Sequence, residues 1–226
     1  MSALPALAEL SAAIADLDEA TALALVPARL AAGDDPLDIL AACQTGLRLV
    51  GERYEQRQYF LAGLIMAGEI FREVLELLQP VLVQQPVDPA AGRILLGTVQ
   101  GDIHDIGKNM LGLLLTSHGL RVQDLGVDVP AAEFLRETLA FQPDVICLSG
   151  LISSAHESMR ATVAVLKTEF SQRGLRIPIV IGGGLMDDHV FRYVGADYWA
   201  TDAMDGLRLC RRLITGQGAP GGEPAA

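Results

Sequence analysis

From Leu4 to about Leu82 the apolar residues recur every three to four positions, the spacing of one face of a helix. The rhythm breaks at Pro27, at Gly33 with Pro36, and over Arg57 to Tyr59, which predicts a bundle of about four helices across residues 1–84. Asp35 before Pro36 offers a helix cap and a first-turn proline; Leu37, Leu40, Ala41, Leu47 and Val50 are expected to mark the inward face that follows. Pro86 and Pro89 then forbid a continuous helix and predict an extended linker over residues 85–90.

Beyond the linker, short apolar runs alternate with amphipathic stretches of helical length. Ile94–Val99, Val122–Leu125, Val145–Leu148, Ile177–Ile181 and Ala196–Ala200 read as strands, and Met110–Ser117, Ala131–Ala140, Glu157–Phe170, Asp187–Tyr193 and Met204–Ile214 as helices. Strand–helix alternation puts a parallel sheet between two helical layers, so residues 91–215 predict a five-stranded, doubly wound, flavodoxin-like α/β domain. The Gly/Pro/Ala-rich segment 216–226 is expected to be disordered.

Composition narrows the function classes. Half of the 226 residues are hydrophobic and 20% are charged, which suits a globular chain. A net charge of -11 argues against nucleic acid or an anionic membrane as the main partner. Glu9, Asp16, Asp18 and Glu19 interrupt the apolar start, so neither a signal peptide nor a spanning helix is indicated and a cytoplasmic location is expected. Cys43, Cys147 and Cys210 lack paired metal-ligand spacing and read as buried thiols.

Ligands of open α/β sheets lie beyond the carboxyl ends of the strands, which singles out three loops: Gly101 to Asn109, Ser149 to Ser154, and Gly182-Gly183-Gly184. The first is not a phosphate loop, because five residues separate Gly101 from Gly107 and Asn109 stands where a magnesium-binding hydroxyl is needed. The triple glycine lacks the dinucleotide spacing. What remains is His104, two residues after Asp102. A metal-bound imidazole commonly donates its other N–H to a carboxylate, and Asp102 is the natural acceptor. No histidine or cysteine cluster completes a cage around His104, which suggests a metal that arrives inside a macrocycle.

Gly101 to Asn109 carries Asp-x-His-x-x-Gly and resembles the signature of cobalamin-binding domains, in the variant of methionine synthase and the corrinoid proteins of methyltransferase systems. Ser149-x-Leu151, Gly183-Gly184 and Asp124-Leu125-Gly126-Val127-Asp128-Val129-Pro130 are similar to the family's other elements. Val50-Gly51-x-x-Tyr54 followed by Tyr59-Phe60-Leu61 resembles the helical cap that precedes this domain. The resemblance implies a helical cap followed by a Rossmann-like domain that binds cobalamin, as methylcobalamin or another corrinoid, with the cofactor's own base displaced.

By motif position the resemblance makes His104 the lower axial ligand of cobalt and Asp102 its orienting partner, with Asp105, Ile106 and Gly107 completing the loop. Gly183 and Gly184 would let backbone approach the displaced nucleotide tail, Ser149 and Ser153 would hydrogen-bond it, and Leu151 would give apolar contact. Val50, Tyr54, Tyr59 and Phe60 would shield the upper face. Ala155 stands where the family carries a third, hydroxyl member of the Asp–His relay, with Ser154 or water as substitutes.

The function implied is a methyl carrier, non-catalytic alone. The chain has no room for a barrel of about 250 residues to carry substrate chemistry. Its expected partners are a donor-side methyltransferase, an acceptor-side methyltransferase using a folate or a thiol, and a reductive activator. The alternative is a light or B12 sensor acting through a partner protein. The family's light sensors place a Trp and a Glu-His pair over cobalt, whereas the bundle here has no His and the lone tryptophan is Trp199.

Overall fold

The computed structural model describes residues 3–83 and 92–216. It divides into two compact units, Met1–Gln84 and Gln85–Ala226. The predicted linker 85–90 and all but the first residue of the predicted tail lie outside the described residues.

The first unit is built of α1 (Ala3–Ala15), α2 (Glu19–Ala31), α3 (Pro36–Glu55) and α4 (Leu61–Leu82). Asp18 and Asp35 cap α2 and α3 by accepting the amides of Thr21 and Leu37, relieving amides that the helix itself cannot satisfy. Leu17 (φ +59) and Arg57 (φ +60) lie in the breaks before α2 and α4. Pro27, expected as a break, lies inside α2. Buried Val26 and Ala22 hold the turns around it, and tertiary packing overrides the local preference. The inward face of α3 is also shifted from the expected one, to Ile39, Leu40, Ala42, Cys43, Gly46 and Val50, with Ala41 exposed. The cause is a close crossing with α1. A Cβ on Gly46 would lie 2.7 Å from Ile14 Cβ and 2.8 Å from Ser11 O, and Ser11 Oγ donates to the Ala42 carbonyl at 2.8 Å. Only a residue without a side chain fits there.

The second unit carries β1 (Arg93–Thr98), β2 (Arg121–Asp124), β3 (Val145–Ser149), β4 (Ile179–Gly182) and β5 (Tyr198–Ala200), all parallel in the order β2-β1-β3-β4-β5. The helices are α5 (Ile106–Ser117), α6 (Ala131–Phe141), α7 (Ala155–Arg173), α8 (Asp188–Val194) and α9 (Ala203–Ile214). Helices α5 and α9 pack together, as do α6, α7 and α8 in series, so β1, β3 and β4 read as continuous apolar runs covered on both faces. Gly97 leaves room for the Phe134 ring from α6; a Cβ there would lie 2.8 Å from Cζ. Several boundaries differ from expectation: α5 starts at Ile106 rather than Met110, β4 at Ile179 rather than Ile177, β5 at Tyr198 rather than Ala196, and α7 spans Ala155–Arg173 rather than Glu157–Phe170. Cys147 and Cys210, 63 residues apart, bring their sulfurs to 3.5 Å between β3 and α9.

The order 2-1-3-4-5 reverses between β1 and β3. The chain leaves these neighbouring strands toward opposite faces of the sheet, opening a crevice where the β1–α5 and β3–α7 loops meet.

Candidate functional site

Asp102 lies on the β1–α5 loop, 1% exposed. Its Oδ1 accepts the main-chain N–H of His104 at 3.0 Å and faces His104 Nδ1 at 2.5 Å. Its Oδ2 accepts the amides of Leu151 at 2.6 Å and Ile152 at 3.3 Å, from the loop after β3. Burial pushes this carboxyl up, but the bonds from Leu151, from His104 and from Ile152 outweigh it, so Asp102 titrates below its usual value. An ionised carboxylate only accepts, so the Nδ1 facing it carries a proton, which in a neutral imidazole leaves the lone pair on Nε2. The His104 side chain is half exposed. The loop is braced from below by buried Thr98, whose hydroxyl donates to the His104 carbonyl at 2.9 Å.

Asp105 and Ile106 are tied to the start of α5. The Asp105 carboxylate accepts Asn109 Nδ2 at 3.0 Å, its carbonyl accepts the Asn109 amide at 2.7 Å, and Ile106 opens the helix. Gly107 is therefore a first-turn residue of α5. Lys108, which sequence reasoning left without a role, is 4% exposed and paired with Asp124, and it also donates to Asn109 Oδ1 at 2.7 Å.

Between β1, β3 and β4 and helices α5 and α9 runs a slot of about 110 Å3. Gly107, Lys108, Ser149, Gly183 and Gly184 line it. So do Ala200, Ala203 and Gly206, which sequence reasoning did not single out although they lie at and beyond the end of β5. Gly183 has φ +150, and a Cβ on it would overlap the Gly150 carbonyl. Leu151 is half-buried and Ser153 is exposed in the following turn. Ala155 is buried at the start of α7, and the Leu151 and Ile152 amides occupy the Asp102 oxygen toward which a relay hydroxyl was expected.

On the first unit, Val50 is fully enclosed. The Tyr59 hydroxyl donates to the Ala15 carbonyl at 2.9 Å and accepts from Arg53 at 2.9 Å, which ties it to the α1–α2 turn. Tyr54, Phe60, Leu61, Ile65 and Met66 form an exposed apolar set, Phe60 at 80%.

The chain matches the B12 binding domain family over residues 92–208 and a second B12 binding domain family over residues 6–79. It belongs to the B12-binding corrinoid proteins. A corrinoid protein of Desulfitobacterium hafniense is 32% identical over 91% of this chain and 96% of its own. Among solved structures, the monomethylamine corrinoid protein of Methanosarcina barkeri has TM-score 0.80 at 26% identity, covering 92% of this chain and 98% of that one. The methanol:cobalamin methyltransferase complex of the same organism matches with TM-score 0.50 at 25% identity, over 96% of this chain and 82% of that one.

The site's chemistry suits a corrinoid. A single imidazole with one nitrogen anchored and the other available can serve a metal that brings its own equatorial ligands, and the slot beside it has glycine and alanine walls. At about 110 Å3 the slot is below the roughly 300 Å3 at which small-molecule pockets begin. A Cβ on Gly206 would lie 3.1 Å from Leu111 Cδ1, so α5 and α9 close on each other there, and a group larger than the slot enters only if these helices part. Within the chain no helix is long and apolar enough to cross a membrane, among the described residues.

Proposed function

We propose that this corrinoid protein carries a methyl group between partner methyltransferases, holding cobalamin with its own base displaced and His104 Nε2 as the lower axial ligand. Bound cobalamin supplies a cobalt centre that takes a methyl group from one partner's substrate and yields it to another's. The observation that carries the reading is the Asp102–His104 pair, with Nδ1 facing a buried ionised carboxylate at 2.5 Å.

In this role Asp102 holds the Nδ1 proton and keeps Nε2 basic while it ligates. When the ligand bond is released, Nε2 takes up a proton and Asp102 stabilises the imidazolium. The Leu151 and Ile152 amides keep the carboxylate ionised, filling the place of the absent relay hydroxyl. Gly183 and Gly184 admit the displaced tail, with Ser149 and Ser153 as hydrogen-bonding groups, Leu151 as apolar contact and Gly107 as the slot's edge at α5. Tyr54 and Phe60, exposed apolar side chains of the first unit, are available to exclude water from the methyl group.

The relatives named for methylamine and methanol systems favour this carrier over the sensor reading. The partners are a donor-side methyltransferase, an acceptor-side methyltransferase that uses a folate or a thiol, and a reductive activator, all in the cytoplasm. The test is reconstitution with cobalamin, reduction to the paramagnetic cobalt(II) form, and electron paramagnetic resonance with nitrogen-15-labelled histidine. Splitting that changes with the isotope and vanishes in His104→Ala is the expected result. Splitting from the cofactor's own base overturns the reading.

A further inference from the structure

The β2–α6 turn reaches across to the histidine loop through a single residue. Asp128 has φ +54, a conformation that glycine adopts freely and other residues at a cost. Its carboxylate Oδ1 accepts the Gly101 amide at 2.7 Å, and its own N–H donates to the Asp102 carbonyl at 3.0 Å. These bonds grip the peptide groups on either side of the segment that presents Asp102 and, two residues on, His104. The neighbouring contacts extend the grip: Val129 N–H donates to the Thr98 carbonyl at 3.0 Å, and Val99 and Val129 form a parallel bridge beyond the ends of β1 and β2. Gly101 itself has φ +82. Two left-handed residues thus face each other, and the carboxylate of one caps the amide of the other.

Glycine would relieve the strain at position 128 but would lose the carboxylate. The strained backbone is what aims both the amide and the side chain of one residue at the loop, and strain of this kind persists where the surroundings enforce it. We infer that Asp128 is a positioning residue for His104: it fixes the loop from which His104 Nε2 would ligate cobalt. This rests on the histidine-ligated reading above. Partners one bond removed from a metal ligand change metal affinity by about 10–100-fold when lost. Asp128 acts one step further out, through Gly101 and the Asp102 carbonyl, so a change of about tenfold is expected.

Three variants reconstituted with cobalamin separate positioning from mere support of the fold. Asp128→Asn keeps a side chain that tolerates positive φ and an acceptor oxygen, and should retain the wild-type nitrogen-15 histidine splitting in cobalt(II) resonance. Asp128→Gly removes the strain and the acceptor together; it should melt at or above the wild-type temperature yet show the ratio of histidine-bound to histidine-free cobalt lowered about tenfold. Asp128→Ala should lose both stability and ligation. Asp128→Gly with wild-type splitting overturns the inference. Absence of histidine splitting in the wild-type protein is a separate result, which overturns the axial-ligand reading instead.

Discussion

Replacing Asp102 by asparagine keeps the size of a buried side chain and changes its hydrogen-bonding logic. The native carboxylate accepts four N–H groups, two on each oxygen. An amide offers one acceptor oxygen and one donor group. If its oxygen faces the Leu151 and Ile152 amides, its NH2 faces His104: the His104 main-chain N–H loses its acceptor and Nδ1 must turn acceptor. If the oxygen faces His104, two buried amides after β3 face donors instead. The first arrangement strands one donor and the second strands two, at about 1–3 kcal/mol each. The first therefore prevails, with a loss of about 1–3 kcal/mol. It also moves the imidazole proton to Nε2, the nitrogen proposed to ligate cobalt. Nitrogen-15 correlation spectra of the imidazole report the tautomer directly: Nδ1–H in the wild type, Nε2–H in Asp102→Asn. Cobalamin titration followed by absorbance should show histidine ligation weakened about 10–100-fold. An unchanged tautomer together with unchanged ligation would refute the reasoning, because the carboxylate would then not be setting the proton.

Gly183→Ala forces a Cβ against the Gly150 carbonyl at φ +150; it should cost about 1–3 kcal/mol in chemical denaturation and impair cobalamin uptake, and a variant of wild-type stability would remove the case for close backbone packing there. Leu111→Ala loosens the closure of α5 on α9, so cobalamin uptake measured by stopped flow should be faster while apoprotein stability falls by less than the roughly 2–5 kcal/mol of a fully enclosed leucine; slower or equal uptake counts against the need for these helices to part. Burial pushes the Cys43 thiol from 9.0 up to about 12, about a thousandfold less thiolate, so iodoacetamide at pH 8 should leave it unmodified in the native protein and modify it in urea. With its folded value raised, Cys43 contributes stability that is intact below pH about 9 and declines as pH climbs toward 12, which denaturant midpoints across that range check.

The alternation of apolar runs with amphipathic stretches carried the second unit's strand and helix sequence because each strand is short and buried on both faces. Boundaries were legible only where a local signal coincided with the end. Asp35-Pro36 marks the start of α3, whereas α5 begins at Ile106, four residues before its apolar run, since Gly107 and Lys108 obscure the first turn. The inward face of α3 was misread because it is chosen by the α1 crossing at Gly46, a tertiary fact with no trace in the helix's own periodicity. The Asp102–His104 pair was legible because both partners lie within one short motif.

What holds that pair was not legible, and the reason is topological. The Leu151 and Ile152 amides lie 49 and 50 residues downstream of Asp102; they meet it because β1 and β3 are neighbours while their outgoing chains diverge. A main-chain N–H has no sequence signature, so Ala155 looked like the loss of a relay member. Two backbone donors on one carboxylate oxygen hold it ionised at least as firmly as a hydroxyl, and they tolerate any side chain at the positions that supply them. The Asp–His proton relation is thereby freed from the identity of residue 155. Substituting Ala155 by serine should leave the His104 tautomer unchanged, whereas moving the β3–α7 loop, as Gly183→Ala does, should disturb it without touching either member of the pair.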